Sequence, residues 1–511
     1  MTEAKRVAPV ETELKFDLVP DRVDRLWSYA LFSNPSTTTQ LTSTYFDTED
    51  RKLQRNTIGL RVRRQGEGFV QTVKGGGGGM IRRDEWEAAI AGEALDPAQL
   101  RDTPVWKLVD GDTSALQPVF TTSVERISRL WTRGADTIEV SLDRGEITAS
   151  GERVEIHELE LELKAGAVEA LFDLARELSA DGAIRLAFES KAHRGYRLAD
   201  GRGQEPMRAG RVAISPDLTA GHAFQRIGLD CLAQVAENAR LLSTAHNPEA
   251  VHQLRIGIRR FRAALSAFEP IVLGEGAARA RIETKWLATE MDEARDLDVF
   301  IHDTFHALAS VVETPETAAG FERQLLEAQS RAYARAVAAL NSDRYAALLL
   351  ETVAWLEIGD WTRSEDQVAA ALRDGPASVF APEALRHLRK AVRKKGRRLA
   401  HLDAHQRHKL RIKGKKLRYA AEFFSGLCDA RPARRRKFLT RLKRLQERLG
   451  ELNDLAVARE KAAQLVQHGS ADIAFAAGQI VGARQAEEKA LARKAADAYA
   501  DFAAARRFWA G

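Results

Sequence analysis

The chain has 511 residues, of which 44% are hydrophobic and 29% are charged, a composition typical of a globular protein with about two or three domains. No apolar run approaches the roughly 20 residues of a transmembrane helix, and the first residues lack the apolar core of a signal peptide. The two cysteines, Cys231 and Cys428, are too few for a disulfide framework and lack metal-ligand spacing, so we expect a reducing cytoplasm.

The net charge of +6 conceals an asymmetry along the chain. Residues 386–448 hold 24 Lys/Arg against 4 Asp/Glu, a net charge of +20, so the remaining chain carries −14. A strongly basic segment within a mildly acidic protein predicts a polyanionic partner for one region.

The first 200 residues are predicted to be mostly strands, because short alternating segments are bounded by turn residues. This pattern indicates an antiparallel sheet or barrel. A short helix is predicted at 21–31. The predicted strands are 11–17, 42–47, 57–64, 68–74, 80–87, 119–131, 137–147 and 153–164.

Charged residues on these strands fall in phase. In the first strand Glu11, Glu13 and Lys15 share one face, since successive side chains point to opposite faces. For a single strand, the simplest interpretation is that this charged face is exposed to solvent. The pattern is repeated, however, with cations and carboxylates segregated by strand, which favours a polar cavity over a solvated surface. The other residues in phase are Arg61, Arg63, Lys74, Arg83, Glu85, Glu87, Glu139, Asp143, Glu158, Glu160 and Glu162.

A cavity with both charge types has a definite chemistry. Arginine and lysine bind phosphate oxygens, and carboxylates bind hard divalent cations. Phosphoryl transfer depends mainly on neutralising oxygen charge, and an attacking water is activated by a metal or a carboxylate. The pattern therefore predicts a site for a metal–polyphosphate complex.

The segment Glu-Thr-Glu-Leu-Lys at 11–15 resembles the ExExK signature of the CYTH domain, the triphosphate tunnel metalloenzymes. The resemblance covers roughly residues 8–200. It implies an eight-stranded antiparallel tunnel that binds triphosphate with Mg²⁺ or Mn²⁺. The matching segments continue in order through 45–48 (YFDT), 60–63 (LRVR), 72–74 (TVK), 83–87 (RDEWE), 142–145 (LDRG), 158–162 (ELELE) and 190–196 (SKAHRGY).

The resemblance also implies roles by matching position. Asp143 and Glu85 would bind a second metal or orient water. Arg126 would bind phosphate, although Arg129 is an alternative for the same role. The metal ligands would be Glu11, Glu13, Asp143, Glu158, Glu160 and Glu162. The phosphate ligands would be Lys15, Arg61, Arg63, Lys74, Arg83, Arg126 and Lys191. The catalytic set would be Glu11, Glu13, Lys15, Glu85, Asp143 and Lys191.

Two features of this region are not taken as sites. The five glycines at 75–79 are not followed by Gly-Lys-Ser/Thr, so they indicate a hairpin at the tunnel mouth rather than a P-loop. His157 and His193 are single histidines, and both are interpreted as ordinary polar residues.

Beyond residue 203 the composition changes. The stretch 201–217 is rich in Gly, Arg and Pro without a period, which indicates a domain boundary, with the linker at 204–217. We therefore expect a tunnel domain at 1–203 and a helical domain at 218–505, with pseudo-repeats at about 218–375 and 376–505. The predicted fold class is α+β multidomain, an antiparallel eight-stranded β barrel followed by an all-α domain of two repeated helical bundles.

The repeat is visible in the sequence. His-Gln-Leu-Arg-Ile at 252–256 recurs as His-Lys-Leu-Arg-Ile at 408–412, an offset of 156, and 291–298 resembles 449–455. Each copy predicts an amphipathic helix with one apolar stripe and one basic stripe. We expect the cations of these stripes to have no acidic partner four positions later in the same helix. Solvated basic helices usually interleave both signs of charge, so this pattern argues against a merely solvated face. A further stripe contains Arg386, Arg389, Arg393 and Arg397.

Few aromatic residues lie among these cations, which disfavours base stacking and favours a partner recognised through its phosphates. The doubled H-x-L-R-I segment is similar to the CHAD domain, over about 218–505, which implies binding of inorganic polyphosphate and association with polyphosphate granules. The two histidines would contact phosphate or pack helices rather than bind metal. The implied polyphosphate ligands are His252, Arg255, Arg259, Arg262, Arg386, Arg389, Arg393, His408, Arg411, Lys415 and Arg418.

The resulting hypothesis is metal-dependent hydrolysis of inorganic triphosphate to diphosphate and phosphate, with a helical domain that binds polyphosphate. A nucleoside or thiamine triphosphatase, or an adenylate cyclase, would use the same tunnel. The alternative from another class is a non-catalytic polyphosphate-binding or targeting protein. No base-recognition element is evident, which favours the inorganic substrate. We expect neither a membrane nor a nucleic acid as partner.

Overall fold

The computed structural model describes residues 10–19, 36–75, 81–180, 182–312, 314–428, 431–466, 471–485 and 487–509. The helix predicted at 21–31, the residue that begins the strand predicted at 80–87, and glycines 76–79 lie outside these ranges. The chain forms two compact units, one with residues up to Glu205 and the segment Leu349–Ala354, the other with the rest. Within the described ranges, no helix has the length and apolar character needed to span a membrane.

The first unit is a closed antiparallel barrel of eight strands, as predicted. Strand order is β5-β4-β3-β2-β6-β7-β8-β1, and β1 closes the ring by pairing with β5. A ninth strand, β9 (Ile184–Leu186), was not predicted and pairs with β1. The barrel strands are β1 Val10–Leu18, β2 Thr37–Asp47, β3 Gly59–Gln65, β4 Gly68–Gly75, β5 Arg82–Ile90, β6 Gln117–Arg133, β7 Asp136–Ala149 and β8 Glu152–Ala165.

The apolar face of the strands points away from the barrel interior, toward covering helices. Leu60 and Val62 of β3 pack with Leu53 and Val105, which lie on two short helices. Burying a side chain of this size contributes about 1.5–3 kcal/mol. The core therefore lies outside the ring, which leaves the interior to the charged face. The helices of this unit are α1 Lys52–Arg55, α2 Pro104–Leu108, α3 Val168–Ser179 and α4 Lys191–Ala199, with 3-10 turns at Pro97–Leu100 and Thr113–Ala115.

The second unit is helical. Its helices begin with side-chain caps at several points; Asn247, for example, accepts a hydrogen bond from the backbone N–H of Ala250 before Pro248 opens the sixth helix. The helices are α5 Ala220–Thr244, α6 Pro248–Ala267, α7 Glu275–Val299, α8 His306–Leu308, α9 Pro315–Leu340, α10 Asp343–Ile358, α11 Gln367–Asp374, α12 Ala377–Gly396, α13 Ala404–Phe423, α14 Pro432–Val466, α15 Ala471–Gln485 and α16 Glu488–Ala503. A π-helical turn spans Phe300–Phe305, and 3-10 turns span Ala309–Val311, Asp360–Arg363, Leu399–His401 and Phe424–Gly426.

The repeated segments form α6 and α13, and both apolar stripes are buried as predicted. Leu254, Ile258 and Phe261 of α6 are at most 1% exposed. The matching Leu410 and Leu417 of α13 are fully buried. Because the apolar sides face the core, the basic sides are left to line a different surface.

Part of the predicted linker packs on the helical unit. The Asn238 amide donates to the carbonyl oxygen of Met207 at 2.9 Å, and Arg260 donates to that of Gly210 at 3.4 Å. Val212 and Ile214 are buried. This extended segment therefore contributes to the core of the second unit.

Candidate active site

The barrel encloses a cavity of about 1120 Å³. Every barrel strand contributes residues to its wall, and most of the in-phase charges border this interior rather than solvent. The two exceptions, Glu13 and Glu158, are buried. The prediction of a polar cavity is therefore confirmed. The charged wall residues include Glu11, Lys15, Arg61, Arg63, Lys74, Arg83, Glu85, Glu87, Arg126, Glu139, Asp143, Glu160, Glu162, Lys164 and Lys191.

Three carboxylates converge on one side of this cavity, and we call them the three-carboxylate group. Asp143 of β7 and Glu158 and Glu160 of β8 each offer an oxygen within 4.8 Å of the others. The antiparallel register explains their proximity, because Asp143 is paired with Glu158 across the two strands. Carboxylate oxygens held this closely are donors that suit a hard divalent cation.

An ammonium group already lies among these carboxylates. Lys191 Nζ is 2.8 Å from Asp143, 2.5 Å from Glu158 and 2.8 Å from Glu160. Burial alone would lower the pKa of Lys191, but the three carboxylates raise it well above its usual range. Burial acts to raise the pKa of Glu160, yet Lys191 and Lys15 hold it well below its usual range.

Arg126 joins two members of the same group. Its Nε and Nη2 donate to Asp143 at 2.7 Å each, and Nη2 also lies 2.5 Å from Glu160. This bidentate geometry fixes the guanidinium plane. Arg129, which competed with Arg126 in the sequence, also borders the cavity.

The carboxylates of β1 are paired with lysines. Lys15 Nζ lies 3.0 Å from Glu13 and 3.5 Å from Glu160, and Lys74 Nζ lies 2.6 Å from Glu11. Burial, then Glu13, raises the pKa of Glu11 despite Lys74. Burial also acts to raise the pKa of Glu13, but Lys15 lowers it below its usual range. Neighbouring carboxylates thus differ in proton affinity.

Two further predicted carboxylates also contact lysines. Glu85 is 3.1 Å from Lys74. Glu162 is 2.7 Å from Lys164, and burial raises the pKa of Glu162. Of the six predicted metal ligands, the structure thus brings three together, while Glu11, Glu13 and Glu162 each contact a lysine.

The wall formed by β3 is cationic. Arg61 Nη1 donates to the Tyr45 hydroxyl at 3.5 Å, and Arg63 Nε donates to the Ser43 hydroxyl at 3.3 Å. Within the described part of the chain, neither guanidinium has a carboxylate at salt-bridge distance. Burial, followed by the charges of Arg61 and Arg126, lowers the pKa of Arg63 to about 10. The nearest compensating charges act on these two cations without direct contact, for example Glu85 and Glu87 on Arg61.

Tyr45 was not predicted as a site residue. Its ring stacks on Phe120 with centroids 4.4 Å apart, and its side chain borders the cavity. Burial would raise the pKa of Tyr45, but Arg61 lowers it. The signal was present in the sequence, since Tyr45 is in phase with Ser43 on the strand that pairs with β3.

The two histidines of the barrel differ in position. His157 is exposed and contacts Glu155 at 3.2 Å, on the face opposite the inward glutamates of β8. His193 borders the cavity, and its backbone N–H donates to Ser190.

In the helical unit the two predicted basic stripes meet. Lys415 of α13 lies near Arg255 and Arg259 of α6, and near Arg411 and Arg418 of its own helix. Burial, then Arg259 and Arg411, lowers the pKa of Lys415 to about 6. We call these five residues the α6/α13 cluster.

The cluster has unpaired donors. Arg259, Arg411 and Arg418 each bury an Nε that has no hydrogen-bond partner among the described residues. Other buried arginines of the described structure also have an Nε without a hydrogen-bond partner, and the cluster is distinguished by bringing three of them to one surface. His252 lies beside the cluster, where burial, then Arg295 and Arg259, lowers its pKa to about 4.

The expectation that these stripes lack acidic partners four positions on is wrong for one residue, Arg418. Arg418 pairs with Glu422, four positions on, at 3.6 Å. Arg255 pairs with Asp292 of α7 at 2.6 Å. Helix α7 folds back beside α6, so its carboxylates reach a stripe that looked unpaired in the sequence.

The remaining predicted polyphosphate ligands make other contacts. Arg262 donates to the Arg281 carbonyl oxygen at 2.8 Å, and Arg389 donates to the Ala503 and Ala505 carbonyl oxygens at 3.2 and 2.9 Å. These bonds join helices to each other and to the end of α16. Arg386 pairs with Glu383, and Arg393 lies near Arg389. His408 contacts Asn453 at 2.6 Å.

Comparisons with known proteins agree with this division. Residues 10–196 match the family model of the CYTH domain, and residues 226–463 match that of the CHAD domain. An inorganic triphosphatase from Haemophilus influenzae is 35% identical over 162 residues, 31% of this chain. The match spans 46% of that relative, less than half its length.

Two other relatives match more of their own length. An uncharacterized protein from Mycobacterium tuberculosis is 26% identical over 498 residues, 90% of each chain. The crystal structure of the CHAD domain from the plant Ricinus communis is 31% identical, with a TM-score of 0.51, and the match covers 60% of this chain and 98% of that one.

Proposed function

This chain belongs to the CYTH–CHAD fusion proteins, and on that premise we propose that its barrel hydrolyses inorganic triphosphate to diphosphate and phosphate with a divalent metal. One observation carries the proposal. The cavity of the barrel holds Arg61 and Arg63, which have no carboxylate at salt-bridge distance among the described residues, and three convergent carboxylates lie beside it. Such a cavity suits a polyanion together with a cation.

The residues fit a metal. The three-carboxylate group supplies hard oxygen donors, which Mg²⁺ and Mn²⁺ both accept, and Glu11, Glu13 and Glu162 are further donors in the barrel. A bound metal would neutralise phosphate oxygen charge and polarise water.

The chain's own residues would do the rest. Arg61 and Arg63 would bind phosphate oxygens as planar forks, and Lys15, Lys74, Arg83, Arg126 and Lys191 would add further positive charge. Water attacks the terminal phosphorus, and the bridging P–O bond breaks with its electron pair on diphosphate. Glu11, with its raised pKa, is suited to accept the water proton, while Glu85 and Asp143 would orient water.

For the helical unit, we propose that the α6/α13 cluster binds inorganic polyphosphate. The support is the concentration of half-buried cations from both repeats and their unpaired Nε donors. A polyanion would supply the missing acceptors and remove the repulsion among these cations. His252 borders the same surface.

A phosphate-release panel tests the enzymatic proposal. The full chain would be given triphosphate, ATP, thiamine triphosphate and long-chain polyphosphate, each with Mg²⁺ or Mn²⁺. We expect the highest kcat/KM with inorganic triphosphate and none without metal. Preference for ATP or thiamine triphosphate would indicate an organic substrate, cyclic AMP release would indicate a cyclase, and no turnover would indicate a binding protein.

A further inference from the structure

Lys191 occupies an unfavourable position in its own helix. It is the first residue of α4, where the helix dipole disfavours a positive charge. The helix start is otherwise well formed, since the Ser190 hydroxyl accepts from the His193 N–H. An unfavourable charge at the start of an otherwise regular helix indicates that function requires Lys191 at this position.

What compensates for this placement is the three-carboxylate group. The Lys191 ammonium lies 2.5–2.8 Å from all three side chains, at ion-pair distance from each. Each of the three carboxylates also offers an oxygen within 4.8 Å of the others, an arrangement that suits a divalent cation. The ammonium and a metal ion therefore compete for one position.

The charge balance around the group favours the ammonium when no anion is present. Four buried or half-buried carboxylates contact four cations in the described structure: Glu13, Asp143, Glu158 and Glu160 against Lys15, Arg126, Lys191 and Arg194. A divalent ion entering alone would leave this cluster with two excess positive charges in a poorly solvated place. Triphosphate carries more negative charge than this excess, so its binding makes the net charge of the cluster negative. Its oxygens also give the Lys191 ammonium a new partner.

We propose that Lys191 keeps the three-carboxylate group closed to a divalent cation until triphosphate enters the cavity, so that metal and anion bind together. This inference rests on the proposed function, of which it specifies the order of binding. Arg61 and Arg63, which contact no carboxylate in the part of the chain that the structure describes, hold the arriving anion. Lys191 then turns to a phosphate oxygen, and the vacated carboxylates accept the metal.

The test is Mn²⁺ binding to the full chain, measured by electron paramagnetic resonance with and without imidotriphosphate, in which NH groups replace the bridging oxygens. Lys191→Met removes the competing ammonium. Lys107→Met is the control, because Lys107 is an exposed lysine of α2 and is not among the residues that border the cavity. The double variant Lys191→Met/Glu160→Gln shows where any gained Mn²⁺ binds.

We expect Lys191→Met to bind Mn²⁺ without anion roughly tenfold or more tightly than the wild type, within the usual range of coupling between sites. Lys107→Met should match the wild type, and the double variant should lose the gain. Equal Mn²⁺ affinity of wild type and folded Lys191→Met, or a gain that survives in the double variant, would overturn the proposal. Should Lys191→Met not fold, a wild type that binds Mn²⁺ equally with and without imidotriphosphate overturns it.

The experiments distinguish failure of the proposed binding order from failure of the proposed function. Triphosphate hydrolysis by a wild type that also binds Mn²⁺ tightly on its own would refute the binding order and leave the proposed function intact. Absence of hydrolysis would refute the function, while the effect of Lys191→Met on Mn²⁺ affinity would still decide whether Lys191 excludes the metal.

Discussion

Lys415 of α13 lies beside Arg259 of α6, and these two residues occupy the same place in the two copies of the repeat. They are 156 positions apart, the offset that relates the two H-x-L-R-I segments. Equivalent residues meet at a pseudo-twofold contact, as in an isologous interface. Like charges thus face each other, and a bound polyanion would convert their repulsion into attraction.

This contact predicts pH-dependent polyphosphate binding. Burial and the neighbouring cations lower the pKa of Lys415 to about 6 in the unliganded protein. A bound polyanion would raise this pKa, so polyphosphate binding should be accompanied by uptake of a proton near neutral pH. Affinity is expected to fall as pH rises above 6, by up to about tenfold per unit. Calorimetry in buffers of different ionisation enthalpy measures the uptake.

Lys415→Met should remove that uptake, whereas Lys409→Met, an exposed lysine on the same helix, should retain it. The unliganded protein should also become more stable as pH rises from about 6 toward 10.5, since the unfolded chain holds the proton that the folded state has lost. Proton uptake that persists in Lys415→Met would assign it to another group.

Charge removal within the α6/α13 cluster should weaken polyphosphate retention selectively. Replacing Arg259 and Arg411 by glutamine is expected to lower affinity and to reduce the salt dependence of binding, because fewer phosphate charges are neutralised. Triphosphate hydrolysis should change far less. Retention on immobilised polyphosphate across a salt gradient measures this. Arg323→Gln, an exposed change on α9, is the control, and equal loss in it would mean a non-specific charge effect.

Arg63 should be needed for catalysis and not for stability. Arg63→Met is expected to reduce kcat/KM for triphosphate by about 10- to 150-fold, the effect of about 1.5–3 kcal/mol for a charge-assisted hydrogen bond. Its melting temperature should rise, because burial disfavours the charged guanidinium in the free protein. Arg64→Met, on the adjacent exposed residue, should affect neither. An unchanged kcat/KM for Arg63→Met would exclude Arg63 from phosphate binding.

Glu13 tests the metal-binding side of the barrel. Glu13→Gln is expected to lower kcat by about 100-fold or more, comparable to loss of one preorganised electrostatic group. Lys15 keeps Glu160 as a partner, so circular dichroism should show a native fold. Glu155→Gln changes an exposed carboxylate of β8 and should be neutral. Near-wild-type turnover of Glu13→Gln would remove Glu13 from the site.

Much of the barrel was predictable because its strands carry a two-residue period. Glu158, Glu160 and Glu162 alternate with buried leucines, which indicated both the strand and its two faces. The short strand β9 has only three residues, too few for a periodic signal, and was missed. Tyr45 was overlooked as a wall residue because a lone aromatic on a strand is more often part of an apolar core.

Sequence alone determined the local chemistry: which strands carry carboxylates, which carry guanidinium groups, and which helices repeat a basic stripe. Those properties follow from residue type and period, which are local. Tertiary structure decided the partners. Barrel closure brings residues far apart in the chain to one cavity. It gathers Asp143, Glu158 and Glu160 around Lys191, while Glu11 and Glu162 pair with other lysines. Packing of α6 on α13 likewise sets Arg259 against Lys415, because distances across a fold depend on register and packing that no single segment encodes.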